Sequence, residues 1–219
     1  MGNAPIAFCE ALRASALPTW NAALDHRFFR EVAADTLADE VFARYLRIEY
    51  GFVDTAAVAL GYAVAKAPTF RERRRLALNL HGLATDQQQF FADAFDRIDA
   101  PEDERTAAQP EGAAAALHKH FLSVARTGDY EEILAAMLAA EWLYLTWCSR
   151  AHRTPSARPA IRGWVALHAN GEFATGVDWI RAELDRRGPE ADAARRTRMS
   201  RAFKRALAAE IAFHTAAYA

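Results

Sequence analysis

Apolar residues recur every three or four positions along most of this chain, and short stretches rich in Gly, Pro, Asp and Asn separate the periodic segments. That period is typical of amphipathic α-helices, and no segment alternates as a β-strand would. The pattern therefore predicts an all-α protein, a single bundle of seven to nine helices over residues 1–219. We expect helices over residues 5–24 with a break near Pro18, 26–34, 39–66, 69–99, 111–125, 130–153, 160–169, 172–187 and from 189 onwards.

The expected boundaries depend on residues that end or begin a helix. Pro68 cannot continue the helix before it, and Thr69 is suited to cap the next one. Gly128 followed by Asp129 is typical of one helix end directly before a new helix start. Residues 99–110 are the most loop-like segment. We interpret them as a connection inside one domain, since neither flanking pattern has a complete core.

Three of the predicted helices carry a glutamate in the middle of the apolar stripe, at Glu49, Glu141 and Glu210. A carboxylate in such a place needs a partner or a shifted pKa. Any one of them has an ordinary explanation, a position at the edge of the stripe with an arginine nearby. Three together favour a polar pocket inside the bundle, so we expect them to project into one shared interior. The stripes are Phe42, Tyr45, Glu49, Phe52, Ala56, Ala59, Ala63; Ile133, Met137, Glu141, Tyr144, Cys148; and Met199, Phe203, Ala206, Glu210, Phe213, Ala217.

Composition narrows the class of protein. Of the 219 residues 52% are hydrophobic and 25% are charged, which is ordinary for one globular domain. The formal net charge of −1 predicts no partnership with nucleic acid or an anionic membrane, and the arginines at 71–75 and 195–201 are interpreted as solvated helix faces. Two cysteines make neither a disulfide framework nor a zinc site. With no signal-peptide pattern and no apolar run of about 18 residues, we expect a cytoplasmic protein.

Carboxylates that face a bundle core raise the question of a di-iron site. Such sites use two Glu-x-x-His motifs, and none occurs in this sequence. The nearest spacings, Glu210 to His214 and His168 to Glu172, are four residues, as in an ordinary helical hydrogen-bonded pair. No Gly-x-Ser-x-Gly motif and no phosphate-binding glycine loop is present either. We therefore predict no metal and no cofactor.

A further series of motifs runs through the chain in a fixed order: Trp20, His26-x-Phe28, Leu37-x-x-x-x-Phe42-x-x-Tyr45-Leu46, Glu49-Tyr50, Ala65-Lys-Ala-Pro68, Gly128-Asp129, Ala140-Glu141-Trp142-x-Tyr144, His168-Ala-Asn-Gly-Glu172-Phe173, Glu210-x-Ala-Phe213 and Tyr218. This series resembles the TenA / thiaminase II family over essentially the whole chain. The resemblance implies the haem-oxygenase-like helical bundle, assembled as a homodimer or homotetramer. It also implies hydrolysis at the aminomethyl carbon of a thiamine-derived aminopyrimidine, which releases hydroxymethylpyrimidine for salvage.

Four positions depart from the family pattern. The nucleophilic cysteine that the family places before Glu-Trp is Ala140 here, and the pyrimidine-binding aspartate is replaced by Glu49, one methylene longer. One family tyrosine corresponds to Leu117 and another to His168. Cys148 cannot stand in for the missing thiol, because eight residues of helix place it about 12 Å from Ala140 along the axis. A branch of the family that lacks this cysteine is still linked to pyrimidine salvage.

The resemblance assigns roles to the positions that are retained. Phe52 and Tyr144 would flank the ring of the ligand, and Glu210 would be the proton-transfer carboxylate. We therefore predict a hydrolase of thiamine-derived aminopyrimidines that acts without the family cysteine, with Glu210 and Glu49 as catalytic residues. Of the three glutamates Glu141 is the one most suited to a structural role, because it is about 100° around the helix from the position of the family nucleophile. The predicted substrate-binding residues are Phe52, Tyr144, Glu141, Ala140, His168 and His214.

Two other functions stay open. The same fold hosts oxidases of small heteroaromatic compounds, cofactorless or di-iron, for which His168, His214 and Glu210 would be ligands or bases. The other is a protein that binds a small molecule without turnover, because several polar pocket positions differ from the family. Phe173 and Trp179 also need cover that a single bundle does not offer, which predicts a homodimer or homotetramer.

Overall fold

The computed structural model describes residues 6–105 and 111–219, and the regular elements in that part of the chain are helices throughout. The all-α prediction is confirmed. A short 3₁₀ helix, Glu102–Glu104, follows the fifth α-helix. The α-helices within the described residues are α1 Phe8–Ser15, α2 Leu17–Leu24, α3 Arg27–Ala33, α4 Asp39–Lys66, α5 Phe70–Arg97, α6 Ala115–Thr127, α7 Tyr130–Ala151, α8 Pro159–Leu167, α9 Gly171–Arg187 and α10 Ala193–Ala216.

The described residues thus hold ten α-helices, one more than the seven to nine expected, because the first predicted helix is two helices. The chain breaks at Ala16, two residues before Pro18, since proline fits the first turn of α2, where its missing N–H is not needed. The predicted start at Pro5 and the loop residues 106–110 lie outside the described residues. α4 has the predicted bounds, while α6 begins four residues later than expected.

The predicted junction between α6 and α7 is confirmed. Gly128 is the C-cap of α6, and the Asp129 side chain accepts a hydrogen bond of 3.0 Å from the backbone N–H of Glu132 in the first turn of α7. Lys66, the last residue of α4, donates from its Nζ to the carbonyl oxygens of Ala125 and Gly128 at 2.7 and 2.6 Å. The end of α4 is therefore tied to the point where α7 starts.

α7 is the central helix of the bundle. Every residue from Tyr130 to Ala139 is buried, so this half of the helix has no side that faces solvent. α10 and α9 pack along α7, and α4 packs against α5 and α6. α4, α7 and α10 also contact one another in pairs. The three stripes that carry the core glutamates therefore meet in one place.

A second group of buried glutamates lies near helix ends and is paired with arginines. Glu72 at the start of α5, Glu131 at the start of α7 and Glu183 on α9 all lie within ion-pair distance of the Arg187 guanidinium, at 4.0 Å for Glu72 and 3.2 Å for Glu131. Arg186 donates to Glu183 at 2.8 Å and lies 3.6 Å from Glu72. We call these five residues the arginine cluster; it joins three helices.

By length and composition alone α4 is apolar enough to cross a membrane, which the expectation based on an unbroken run of about 18 apolar residues did not anticipate. Core helices of soluble proteins meet the same criterion. In this bundle α4 packs against α5, α6 and α7, and Phe42, Tyr45 and Leu46 are buried in the core. We therefore describe α4 as a helix of the bundle.

The surface differs from expectation in two respects. Phe173 and Trp179 are half-buried and pack against the core of their own chain, so the reason given for expecting an oligomer is wrong and the oligomer itself stays a prediction. Arg75, expected on a solvated face, is half-buried, and its Nε atom is buried without a hydrogen-bond partner. The large apolar side chains that the described residues expose are Ile6, Leu17, Tyr62, Phe70 and Leu78.

Candidate functional site

A cavity of about 140 Å³ lies between α4, α7 and α10, closed by side chains of α5, α6, α9 and the residue that follows α8. Glu49, Glu141 and Glu210 all line it, as the three stripes predict. The other lining residues are Phe52, Val53, Ala56, Ala59, Leu60, Leu83, Gln87, Leu117, Phe121, Met137, Ala140, Tyr144, His168, Phe173 and Phe213. Of the eight predicted site residues, His214 alone does not line the cavity.

Glu210 is buried on α10, with 2% of its surface exposed. Its Oε2 atom has no hydrogen-bond partner among the described residues. Burial raises the pKa of Glu210 to about 8, and the neighbouring charge of Glu49 adds to the rise. A buried carboxyl oxygen without a partner is costly, and a ligand in the cavity that donated a hydrogen bond to it would satisfy it.

Glu49 faces Glu210 from α4 and is held by an indole. Trp164 on α8 donates from Nε1 to the Glu49 Oε2 atom at 2.9 Å. The other oxygen, Oε1, lies 3.9 Å from Nε2 of His168. Burial raises the pKa of Glu49 to about 8, although the Trp164 hydrogen bond and the nearby Tyr45 hydroxyl act in the opposite direction. One carboxyl oxygen is therefore fixed by the protein, and the other is available to a ligand.

Two buried histidines beside these carboxyls are held neutral. Nδ1 of His168 lies 3.0 Å from the Trp164 carbonyl, and Nδ1 of His214 lies 2.8 Å from the Glu210 carbonyl. Because a carbonyl only accepts, Nδ1 carries the proton in both rings and Nε2 is left as an acceptor. Burial lowers the pKa of His168 to about 4 and that of His214 to about 3. Neither ring therefore supplies a positive charge at neutral pH.

His214 lies behind Tyr144 and contacts its hydroxyl group. The Tyr144 hydroxyl is 3.2 Å from Nε2 of His214 and 2.9 Å from the hydroxyl of Tyr45. Since Nε2 accepts, Tyr144 donates to His214 and Tyr45 donates to Tyr144. Burial raises the pKa of both phenols well above its usual range, so the hydroxyls stay protonated. His214 thus orients a wall of the cavity rather than lining it.

Glu141 and the aromatic residues form the remaining walls. Burial raises the pKa of Glu141 to about 7, and the charge of Arg75 opposes that rise. Among the described residues none donates a hydrogen bond to this carboxylate. Phe52 packs edge-to-face against Phe121 and Phe213, with ring centroids 5.2 and 5.7 Å apart, so its ring is fixed at the cavity wall.

Sequence comparison places the chain among known proteins. The model of the TENA/THI-4/PQQC family matches residues 13–219. The chain belongs to this family. It is 22% identical over 182 residues to the aminopyrimidine aminohydrolase of Halalkalibacterium halodurans, covering 82% of this chain and 81% of that one. It is also 22% identical over 178 residues to the aminopyrimidine aminohydrolase of Bacillus subtilis, covering 81% of this chain and 72% of that one.

Solved structures agree on the fold. A TenA homologue from Pyrococcus furiosus superposes with a TM-score of 0.87 at 22% identity, over 96% of this chain and 100% of that one. A domain with a heme oxygenase-like fold from Shewanella denitrificans superposes with a TM-score of 0.74 at 14% identity, over 98% of this chain and 93% of that one. The predicted TenA resemblance and the haem-oxygenase-like fold are confirmed.

No thiol lines the cavity of this TENA/THI-4/PQQC family member within the described residues. Ala140 is on the cavity wall, where the resemblance implies a cysteine. Cys148 is buried two turns further along α7, and burial raises its pKa well above the usual range. Cys9 lies between α1 and α9, where its backbone N–H donates to Asp185 at 2.7 Å. Both cysteines are free, and neither is suited to act as a nucleophile here.

Some residues at or near the cavity were not predicted from the sequence. Trp164 lies one helical turn before His168, a spacing that puts both on one side of α8, yet nothing in the sequence indicates that its N–H meets Glu49. Gln87 and Arg75 lie on a helix that looks solvated.

Among residues 6–105 and 111–219, no three His, Cys, Asp or Glu side chains are close enough to share a metal ion.

Proposed function

We propose that this protein hydrolyses an aminopyrimidine at its aminomethyl carbon, and that it does so without a thiol nucleophile. The family relatives named aminopyrimidine aminohydrolases support the substrate class. One observation carries the reaction type. Glu210 lines the cavity, one oxygen of its buried carboxyl group has no hydrogen-bond partner among the described residues, and burial raises its pKa to about 8, close to neutral pH.

Side chains of α4 and α7 bind the pyrimidine ring. In this proposal the ring lies between Phe52 and Tyr144, whose orientation is fixed by His214 and Tyr45. The Oε1 atom of Glu49 accepts a hydrogen bond from the ring amino group, while Trp164 holds the other oxygen. The rigid hold on both walls orients the aminomethyl carbon towards Glu210, which reduces the entropic barrier to reaction.

Proton transfer falls to Glu210. In its acid form it protonates the departing nitrogen, so that the C–N bond breaks with loss of ammonia. Water attacks the methylene carbon and forms the C–O bond, and the Glu210 carboxylate takes the proton that this water loses. One water is consumed, one ammonia is released, and Glu210 returns to its acid form. Ala140 leaves the place of the family thiol to a small methyl group, so the nucleophile is water.

The test is to offer thiamine and an aminomethyl aminopyrimidine to the wild type and to Glu210→Gln. We expect hydrolysis of the aminopyrimidine and little or none of thiamine, because expulsion of a thiazole needs the nucleophile that Ala140 has replaced. Glu210→Gln should lower kcat at least about 100-fold, the usual contribution of a positioned acid. The matched control is Glu172→Gln, an exposed glutamate next to Phe173, which should retain activity.

Four results would contradict the proposal. Rapid thiamine hydrolysis by the wild type would show that loss of the family thiol does not restrict the reaction to aminopyrimidines. Aminopyrimidine turnover unchanged by Glu210→Gln would remove the role given to that residue. Oxygen consumption with a heteroaromatic substrate would identify an oxidase instead, and tight binding with no turnover would identify a binding protein.

We also propose that the protein is cytoplasmic and works as a homodimer or homotetramer. Two free buried cysteines support a reducing compartment. The exposed side chains of Phe70 and Leu78, both on α5, support a contact between copies. Light scattering that gives the mass of a single chain at micromolar concentration would exclude the oligomer.

A further inference from the structure

We propose that the cavity binds its ligand as a cation and discriminates against the neutral ligand of the same shape. This inference rests on the proposed function for the identity of the ligand's aminomethyl group, but its physical basis is the composition of the cavity wall.

The cavity wall is rich in carboxyl groups and aromatic rings and has no basic side chain to balance them. Glu49, Glu141 and Glu210 line it, and among the described residues no lysine or arginine does. The rings of Phe52, Tyr144, Phe173 and Phe213 form much of the rest. Carboxylates with aromatic faces are the combination that proteins use to bind organic cations.

The unpartnered oxygen of Glu210 points to the same class of ligand. The side chain is 2% exposed, and its Oε2 atom finds no donor in the protein. Nδ1 of His214 is 3.7 Å from this oxygen and gives its proton to the backbone. An ammonium group has three donors and a full charge, so it satisfies this oxygen better than a neutral hydroxyl does.

Groups around the carboxyls do not supply the missing positive charge. Both histidines are neutral, as described, and the two phenols and the buried thiol carry no charge at neutral pH. Arg75 is the one charged exception, but it does not line the cavity, and its guanidinium lies near Gly176 on α9. Of the three carboxyl groups, its charge lowers the pKa of Glu141 alone. The titratable groups that face the three carboxyls are Tyr45, Arg75, Tyr144, Cys148, His168 and His214.

Charge discrimination would also drive product release. An aminomethyl group enters as R–CH2–NH3⁺, and one cavity carboxyl loses its proton to solvent as the ion pair forms. The reaction replaces the ammonium by a hydroxyl, and the carboxylate recovers a proton from the attacking water as ammonia departs. The cation already carries the proton that the leaving nitrogen needs, so with this form of the substrate Glu210 acts only as the base that takes the proton of the attacking water. The overall balance of one water consumed and one ammonia released is that of the proposed mechanism. The neutral alcohol then faces protonated carboxyls and is bound weakly.

The experiment uses two probes of equal size that are not substrates, benzylamine, a cation at neutral pH, and benzyl alcohol. Calorimetry on the full-length wild type at pH 7 should show benzylammonium bound at least about tenfold more tightly, the usual gain of a charge-assisted hydrogen bond. Titration in two buffers of different ionisation enthalpy should show net proton release with the amine and none with the alcohol.

Variants of the cavity glutamates show which carboxyl groups produce the preference for the cation. Glu210→Gln and Glu49→Gln should each reduce the amine-to-alcohol preference severalfold, because glutamine keeps the shape of the side chain and removes its charge. Glu172→Gln removes one exposed charge beside Phe173 and should leave the preference unchanged. Circular dichroism of each variant checks that the helices are intact.

The outcomes separate this inference from the proposed function. Equal binding of the two probes, binding of neither, or binding of the amine without proton release would overturn the cation inference, even if the aminopyrimidine is hydrolysed. A clear preference for the amine in a protein that hydrolyses nothing would support this inference and overturn the hydrolase.

Discussion

Two regions of this protein each hold three glutamates, and their surroundings treat the carboxyl groups in opposite ways. In the arginine cluster, Glu72, Glu131 and Glu183 surround Arg187, which lies on α9 and reaches all three. Burial alone would raise the pKa of Glu72, but its own backbone N–H and the charges of Arg71 and Arg187 lower it. These carboxyl groups are paired with arginines and are part of the scaffold.

The cavity is lined by three glutamates, and no arginine among the described residues lines it with them. Loss of contact with water raises the pKa of Glu49 and of Glu210 to about 8, and that of Glu141 to about 7, because the Trp164 hydrogen bond and the charge of Arg75 offset only part of the rise. The difference shows that burial by itself does not decide what a glutamate does. A partner supplied by the protein makes it structural, and a partner left to the ligand makes it a candidate for binding and proton transfer.

The largest expected effect comes from removing the partner in the arginine cluster. Arg187→Met keeps the apolar stem and leaves three buried carboxylates without their common cation. We expect a loss of about 3 kcal/mol in the free energy of unfolding, the scale for breaking a buried ion pair. Urea denaturation measures it. The control is Arg30→Met, which breaks an exposed pair with Asp25 and should cost less than about 1 kcal/mol. Equal losses in the two variants would contradict the distinction.

The pH dependence of stability should differ in sign between the two regions. A carboxyl whose pKa is raised in the folded protein contributes stability below its unfolded pKa of about 4.5, and that contribution is lost as the pH rises through the folded value of about 8. The free energy of unfolding of Glu210→Gln and of Glu49→Gln, each relative to the wild type, should therefore be higher at pH 8 than at pH 5, by about 1–2 kcal/mol.

We expect the opposite pH dependence for Glu72. Its pKa is lowered in the folded protein, so it contributes stability at neutral pH, and that contribution is lost as the pH falls through its pKa in the folded protein. Glu72→Gln should cost stability at pH 7 and little under acid conditions. Thermal unfolding of the three variants between pH 4 and pH 8.5 tests both trends. Parallel curves for Glu72→Gln and Glu210→Gln would remove the contrast.

The smallest effect concerns the neutral hydrogen-bond chain of Tyr45, Tyr144 and His214 at the cavity wall. Tyr144→Phe keeps the ring on the cavity wall and leaves the Tyr45 hydroxyl and the His214 Nε2 atom without their shared partner. We expect a loss of about 1 kcal/mol in stability, typical of one buried hydrogen bond. KM for the aminopyrimidine should change little, and a large rise in KM would show that the hydroxyl contacts substrate directly.

The sequence was sufficient to predict the helices and the shared cavity, because both follow from periodicity. Glu49, Glu141 and Glu210 interrupt apolar stripes, and that anomaly is visible without a structure. The arginine cluster was not predictable in this way, since Glu72 and Glu131 lie in the first turns of their helices, where acidic residues are expected on the surface.

The features of the site that the sequence did not predict depend on contacts between helices that are distant in sequence. His214 was predicted to bind substrate, and its place behind Tyr144 depends on how α10 packs against α7. The indole N–H of Trp164 meets Glu49 across 115 residues of sequence. Pairings of this kind depend on tertiary packing, for which a single sequence contains no local signal.

The burial of the first half of α7 has a consequence for how a ligand enters. Backbone amides from Tyr130 to Ala139 exchange their hydrogens with solvent only when the whole bundle opens, because no face of that segment meets water. Ala140, Glu141 and Tyr144 continue the same rigid helix. The cavity is therefore anchored on the side that fluctuates least, and we expect a ligand to enter past half-buried lining residues on other helices, Leu83 and Gln87 of α5 and Phe173 of α9.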